Sequence, residues 1–180
     1  MDRREWRMAA AREDLEVFER VDEGQLNDLV EAIKEAKTVF VAGWGRAGLH
    51  GKILSMNLSQ IGIPTYIVSD TGICTPAIHE GDLLVVSSNS GSTRTIAVLA
   101  EMAKEHGAKL ALVSSNADST IGKMADVNVV IPVQADLKRN TGWWSFYHVC
   151  TQVMDTVREY LMHDMGKTID DILYYHNNME

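Results

Sequence analysis

The sequence predicts an α/β protein, a three-layer α/β/α sandwich around a five-stranded parallel sheet. Three observations lead there. Five short apolar runs recur along the chain, stretches with helical spacing separate most of them, and glycine- or serine-rich loops follow several of the runs. A strand that is apolar at every position is covered on both faces, which is the habit of parallel sheets. Strands alternating with helices connect by right-handed crossovers, and these place helices on either side of the sheet.

The elements follow in order. Residues 3 to 20 are dominated by Arg, Glu and Ala, with Leu15 among them, and predict a helix. A second helix runs from Gly24 to Ala36, with Leu26, Leu29, Val30 and Ile33 spaced for one face. Thr38 to Ala42 is the first strand. Arg46 to Ile61 reads as a helix, with Leu49, Ile53, Met56 and Leu58 apolar. Thr65 to Val68 and Leu83 to Val86 are the second and third strands. Thr93 to Glu105 is helical, Lys109 to Val113 is the fourth strand and Val127 to Ile131 the fifth. Beyond Pro132 a polar connection leads to a long helix, Trp143 to His163, and a last one, Thr168 to Asn178. The chain reads as a single domain, 1–180. Met8, Leu15, Val17 and Phe18 have no evident partner inside the sandwich. The terminal helices, 3–36 and 143–178, are therefore expected in subunit contacts, as a homo-oligomer, tetramer or dimer.

Composition narrows the function. The 180 residues are 46% hydrophobic and 23% charged, which excludes disorder and fibrous rods. No apolar run is long enough to span a bilayer, so no membrane partner is expected. Met1 to Arg20 has no apolar segment of the signal-peptide kind, and Cys74 and Cys150 are the only cysteines. Both point to a reducing, cytoplasmic setting. The net charge of -8 argues against nucleic acid as a partner. A small anion held by helix-end dipoles remains compatible with it.

In parallel sheets ligands bind beyond the C-terminal strand ends. After strand one stands Gly43-Trp44-Gly45-Arg46-Ala47-Gly48, a G-x-G-x-x-G turn of the nucleotide-binding type, with Asp70 after strand two where a ribose-binding acid would sit. The same glycines would equally serve a tight strand-to-helix turn. After strand three stands Ser87-Ser88-Asn89-Ser90-Gly91-Ser92-Thr93. An ordinary helix start needs one hydroxyl or amide. The excess here, together with free N–H groups of the helix start, suits a phosphate monoester without a lysine. A third polar loop, Ser114 to Thr120, follows strand four and reads as a capped turn or a binding loop.

These residues carry a resemblance. Ser88 to Thr93 resembles the S-x-S-G-x-T phosphosugar loop of sugar isomerase (SIS) domains. Gly43 to Gly48, Thr75-Pro76-Ala77-Ile78, Gly81-Asp82-Leu83-Leu84, Ser114-Ser115-Asn116 and Ala125-Asp126 follow the order of that family. Within it the chain is most similar to the 6-phospho-3-hexuloisomerases, whose C-terminal H-x-N-x-E pattern matches His176 to Glu180. The resemblance implies a flavodoxin-like sheet and a tetramer with sites completed by neighbouring subunits. It also implies interconversion of 3-hexulose 6-phosphate and fructose 6-phosphate through an enediolate. Ser88, Asn89, Ser90, Gly91, Ser92 and Thr93 would hold phosphate. Gly45, Arg46, Ala47, Asp70 and Ser115 would line the sugar.

The chain departs from the family pattern in one telling place. The relatives' basic glutamate sits near the start of the long helix, where this chain has Tyr147, and no carboxylate falls between Asn140 and Met154. Ala47 replaces a common serine and Ser92 a frequent glutamate. His176 is the leading candidate for acid/base work because imidazole titrates near neutrality. His148 and Tyr147 are next, and Asp70 and Glu180 are further carboxylates. Trp143, Trp144, Phe146 and Tyr147 form either an interface or an aromatic site wall. No metal or cofactor is expected, since the six histidines lack metal-site spacing. Two alternatives stay open: a non-catalytic phosphosugar sensor, and a nicotinamide-dependent oxidoreductase using Gly43 to Gly48.

Overall fold

A computed structural model describes residues 2–68, 75–133 and 142–179. The apolar runs become β1 (Val39–Ala42), β2 (Thr65–Ile67), β3 (Leu83–Ser87), β4 (Lys109–Ser114) and β5 (Val127–Val130). They form one sheet in the order β2-β1-β3-β4-β5, with every described pair parallel. The helices are α1 (Arg3–Phe18), α2 (Glu23–Glu35), α3 (Gly45–Ser59), α4 (Arg94–Glu105), α5 (Gly142–Met165) and α6 (Ile169–Tyr175). The α/β sandwich with a five-stranded parallel sheet is therefore as the sequence predicted.

Strand alternation divides the core in two, because successive side chains leave opposite faces of a strand. Val39, Val41, Leu83, Val85, Ala111 and Val113 face α2, α3 and α5. Phe40, Ala42, Leu84, Val86, Leu110 and Leu112 face α4, where Ile96, Ala97, Ala100 and Ala103 meet them. All of these are buried. Each large one contributes about 1.5–3 kcal/mol, so the two sheet faces dominate the stability.

α1 starts with a reciprocal cap: Asp2 Oδ1 accepts from the Glu5 N–H at 2.8 Å, and Glu5 Oε2 from the Asp2 N–H at 2.9 Å. The helix lies along α5. Val17 is 1% exposed and belongs to the core beneath α2, and Phe18 packs against the same cluster. This corrects the expectation that these two residues lack a partner within the chain. A helix-period pattern does not show that the chain returns, some 130 residues later, with a matching face on α5. Met8 and Leu15 do remain exposed, together with Trp6.

A buried latch ties α3 to α5. Asn57, fully buried, donates its Nδ2 hydrogens to the Met154 carbonyl (3.2 Å) and to Asp155 Oδ1 (2.9 Å). Its Oδ1 accepts from Arg158 Nη1 at 3.3 Å. Removing one partner of such a set strands the others away from water. Asn57→Ala is expected to lower unfolding stability by about 2 kcal/mol, read as a drop in the urea midpoint. An unchanged midpoint would mean that the latch contributes nothing.

Candidate functional site

The strand order places a topological switch between β1 and β3. From β1 the chain departs to one side for β2 and returns on the other for β3, so a crevice opens beyond the C-terminal ends of these two strands. A cavity of about 250 Å³ lies there. It is lined by Trp44 and Ala47 at the start of α3, by Ser87, Ser88, Asn89, Ser90 and Thr93 between β3 and α4, and by Tyr147 of α5.

Glycine is required in the first loop for steric reasons. A Cβ on Gly43 would sit 2.8 Å from both Gly48 Cα and the Ser87 carbonyl oxygen; one on Gly48 would sit 2.4 Å from the Gly43 carbonyl oxygen. Close strand-to-helix approach thus accounts for Gly43 and Gly48 without a dinucleotide. Gly45 is different: it has room for a side chain but holds φ at +55°.

Two helices start at the crevice with no side-chain cap. Trp44 and Thr93 occupy the N-cap positions of α3 and α4, and neither makes a cap hydrogen bond with its side chain. In α4 the N–H groups of Ile96 and Ala97 bond to the Thr93 carbonyl at 3.0 and 2.9 Å. Those of Arg94 and Thr95 lie ahead of these bonds at the positive helix end. Ser88 Oγ and Thr93 Oγ1 lie 3.4 Å apart beside them. The cup therefore combines hydroxyls with a helix dipole, which suits an anion.

The neighbouring loop braces this cup. Asn89 carbonyl accepts from both the N–H (3.0 Å) and the hydroxyl (2.8 Å) of Ser115. Gly91, at φ +61°, turns so close to Ser119 that a Cβ would lie 2.1 Å from its Oγ. Ile121 N–H bonds back to the Gly91 carbonyl at 2.9 Å. Ser92 Oγ accepts from the Thr120 N–H at 3.4 Å. The third polar loop is thus a buttress, with Ser115 holding the backbone of the cup.

The far wall is aromatic. The Arg46 guanidinium lies 4.0 Å from the Trp144 ring centroid and 5.1 Å from that of Tyr147, a cation stacked on two π faces. The ring of His50 lies nearly parallel to Tyr147, centroids 5.7 Å apart and planes inclined by 22°. Phe146 meets Tyr147 edge-on and is fully buried. Cys150 lies below the floor, its Sγ 3.5 Å from Ser87 Oγ, and burial pushes its thiol pKa up to about 12. It is no nucleophile at neutral pH.

Of the residues named from sequence, Ser88, Asn89, Ser90, Thr93, Ala47 and Tyr147 meet at this cavity. Gly91, Ser92, Ser115, Gly45 and Arg46 surround it in the roles just given. His148 lies elsewhere, with its Nδ1 2.8 Å from Asp14 Oδ2 on α1. His176 ends α6, which packs near Gly62 at the N-terminal edge of the sheet, so within one chain it is remote from the cup. Asp70 and Glu180, and the side chain of Trp143, lie outside what is described. Trp44 and Ser87, named from sequence only as members of their loops, join the lining. His50, which the sequence did not single out, stands behind Tyr147 and outside the lining. Among the described residues no three His, Cys, Asp or Glu side chains cluster as a metal site requires. No described helix is long and apolar enough to cross a membrane.

Residues 32–155, which contain all three loops, match the family model of the SIS domain. The chain belongs to the SIS domain family. It is 33% identical to the 3-hexulose-6-phosphate isomerase of Mycobacterium gastri, over 89% of this chain and 77% of that one. A protein of Methanothermobacter thermautotrophicus with no described function is 35% identical over 68% of this chain. The matched part spans 61% of that relative's length. Among solved structures, a hypothetical protein of Methanococcus jannaschii superposes with a TM-score of 0.83 at 25% identity, covering 94% of this chain and 96% of its own. Its crystal structure was described as inferring a molecular function of 3-hexulose-6-phosphate isomerase. The serine loop between β3 and α4 falls within the matched residues, and Ser88, Ser90 and Thr93 line the switch crevice.

Proposed function

We propose that this SIS domain binds a phosphosugar and isomerises it, with 3-hexulose 6-phosphate and fructose 6-phosphate as the substrate pair. One observation carries the reading: the cup of Ser88, Ser90 and Thr93 hydroxyls around the uncapped start of α4, at the switch crevice. A phosphate monoester fits it because fixed N–H dipoles and hydroxyl donors satisfy the oxygens without a lysine. The names of the relatives at 33% and 29% identity support the substrate class.

The reaction moves a proton between adjacent carbons through an enediolate. It needs a base at carbon and donors for the developing oxyanion. Tyr147 is the one titratable side chain among the described lining residues, and it supplies a donor. His176 would serve as base from a neighbouring copy. α6 presents Ile169, Leu173 and Tyr174 to solvent, each more than 60% exposed, which suits docking on another subunit. The working form is accordingly a cytoplasmic homo-oligomer, tetramer or dimer. A second reading, a phosphosugar sensor, draws on a specific observation: no described carboxylate or imidazole lines the cavity.

Calorimetric titration with fructose 6-phosphate, followed by NMR of the sugar in D2O with catalytic protein, tests both. Saturable binding with deuterium entering the carbon skeleton is expected. Binding without exchange selects the sensor, and no binding of any ketose phosphate overturns the phosphosugar reading itself.

A further inference from the structure

Behind the aromatic wall stands an imidazole that is not part of the cavity lining. His50 lies on α3, one turn beyond Ala47 and four residues after Arg46. Its Nδ1 is 2.8 Å from Thr151 Oγ1 on α5. The same Thr151 hydroxyl reaches the Tyr147 carbonyl at 3.4 Å. His50 Nε2 is buried and has no hydrogen-bond partner.

The hydrogens can be assigned. If Thr151 donates to the Tyr147 carbonyl, its oxygen accepts from an Nδ1–H, and Nε2 carries a lone pair. The reverse arrangement would bury an N–H with no acceptor, the costlier defect. His50 is therefore the Nδ1–H tautomer. It is also neutral near pH 7: burial, then the positive charge of Arg46 and the neighbouring His148, hold its pKa below the usual 6.5. The groups facing it are Arg46 from α3 and Tyr147 and His148 from α5, with Asp14 of α1 behind His148.

Packing alone does not call for this residue. An apolar side chain would fill the space without a stranded nitrogen. What the imidazole adds is a link, through Thr151, to the turn of α5 that carries Tyr147, and a flat face parallel to the phenol ring. With Arg46 it forms an α3 clamp, cation and neutral ring together, on the one titratable side chain in the described lining.

We propose that His50 is a positioning residue, fixed by Thr151 and stacked on Tyr147, that holds the phenol in place for the sugar in the cup. The inference rests on the phosphosugar reading of the cavity.

The test has an arm that does not depend on ligand. Long-range 15N–1H NMR of the labelled protein at pH 7 is expected to show His50 neutral with hydrogen on Nδ1. An Nε2–H or doubly protonated ring overturns the proposal. On acidification, stability that depends on neutral His50 is fully present above 6.5 and is lost as the pH falls through the lowered pKa. His50→Leu is expected to lack that step.

The second arm uses fructose 6-phosphate affinity. His50→Leu, Thr151→Val and Tyr147→Phe are each expected to weaken it roughly five-fold, the scale of one neutral hydrogen bond. His50→Leu combined with Tyr147→Phe is expected to do no worse than either alone. Additive losses, or an unaffected His50→Leu, would mean that His50 does not act through Tyr147. Thermal melts of all variants separate loss of fold from loss of positioning. If the wild-type protein binds no phosphosugar, the functional reading falls, and the NMR arm still decides whether His50 is locked beneath Tyr147. In that case unchanged Tyr147 ring signals in Thr151→Val overturn the positioning.

Discussion

Ser90→Asp is expected to weaken phosphosugar binding at least 100-fold while leaving the fold intact. Ser90 lines the cup, is exposed, and spends its hydroxyl on nothing more than the Ser92 N–H at 3.3 Å. The substitution should therefore be nearly neutral for stability. For a dianion it is not neutral. Two like charges about 4 Å apart near a protein surface repel by roughly 4 kcal/mol, and solvent exposure discounts that to ~2–3 kcal/mol. The carboxylate would also compete with the ligand for the free N–H groups of α4, which favour any anion. Calorimetry at fixed ionic strength reads the loss, and added salt should restore part of it. An affinity within five-fold of wild type, in a protein with an unaltered melt, would remove the phosphate from this cup.

The second large effect is on the fold. Gly48→Ala is expected to lower unfolding stability by about 3 kcal/mol, in spite of the ~1 kcal/mol that alanine gains over glycine inside a helix. The new methyl would stand 2.4 Å from the Gly43 carbonyl oxygen and 2.8 Å from its carbon. Both are backbone atoms of the β1–α3 turn, so no rotamer change relieves the clash. Gly45→Ala makes the contrast. Its Cβ meets no atom, and the cost is confined to a left-handed φ, about 1–2 kcal/mol. Urea unfolding of the two variants should separate by at least a kilocalorie. Equal midpoints would show that the turn adapts, and that the glycines serve something other than close packing.

The sheet was legible because its central strands are apolar through their middles. Leu83 to Val86 and Leu110 to Val113 have no polar side to confuse with a surface, and the serine loops mark where they end. The cup was legible for a related reason: Ser88, Asn89, Ser90 and Thr93 are close in sequence, so one turn of chain gathers them. What the sequence could not display are pairings across about a hundred residues. Arg46 stacks on Trp144 and Tyr147, His50 meets Thr151, and Glu13 accepts from the Ser145 hydroxyl at 3.0 Å. None leaves a local pattern. His50 had one faint signal, its place four residues after Arg46 on the helix face that also carries Ala47. A single histidine on a helix has many simpler explanations, and periodicity does not choose among them. His176 illustrates the converse. Its terminal pattern is easy to read, yet the fold of one chain carries it to the far edge of the sheet.

The Asn57 latch has a mechanical consequence. Along α3 it lies ten residues beyond Ala47, and along α5 its partner Asp155 lies eight residues beyond Tyr147. At 1.5 Å per residue these are arms of roughly 15 and 12 Å, running side by side from the latch to Ala47 and Tyr147 in the crevice lining. At the crevice end the two helices are joined again, by His50 to Thr151 and by Arg46 on Trp144 and Tyr147, so the latch and these contacts together fix how far apart the arms stand. The spacing of these two lining residues thus depends in part on a buried amide far along both helices from the cup. Substitutions around Asn57, Asp155 and Arg158 can retune it while every residue of the cup stays the same.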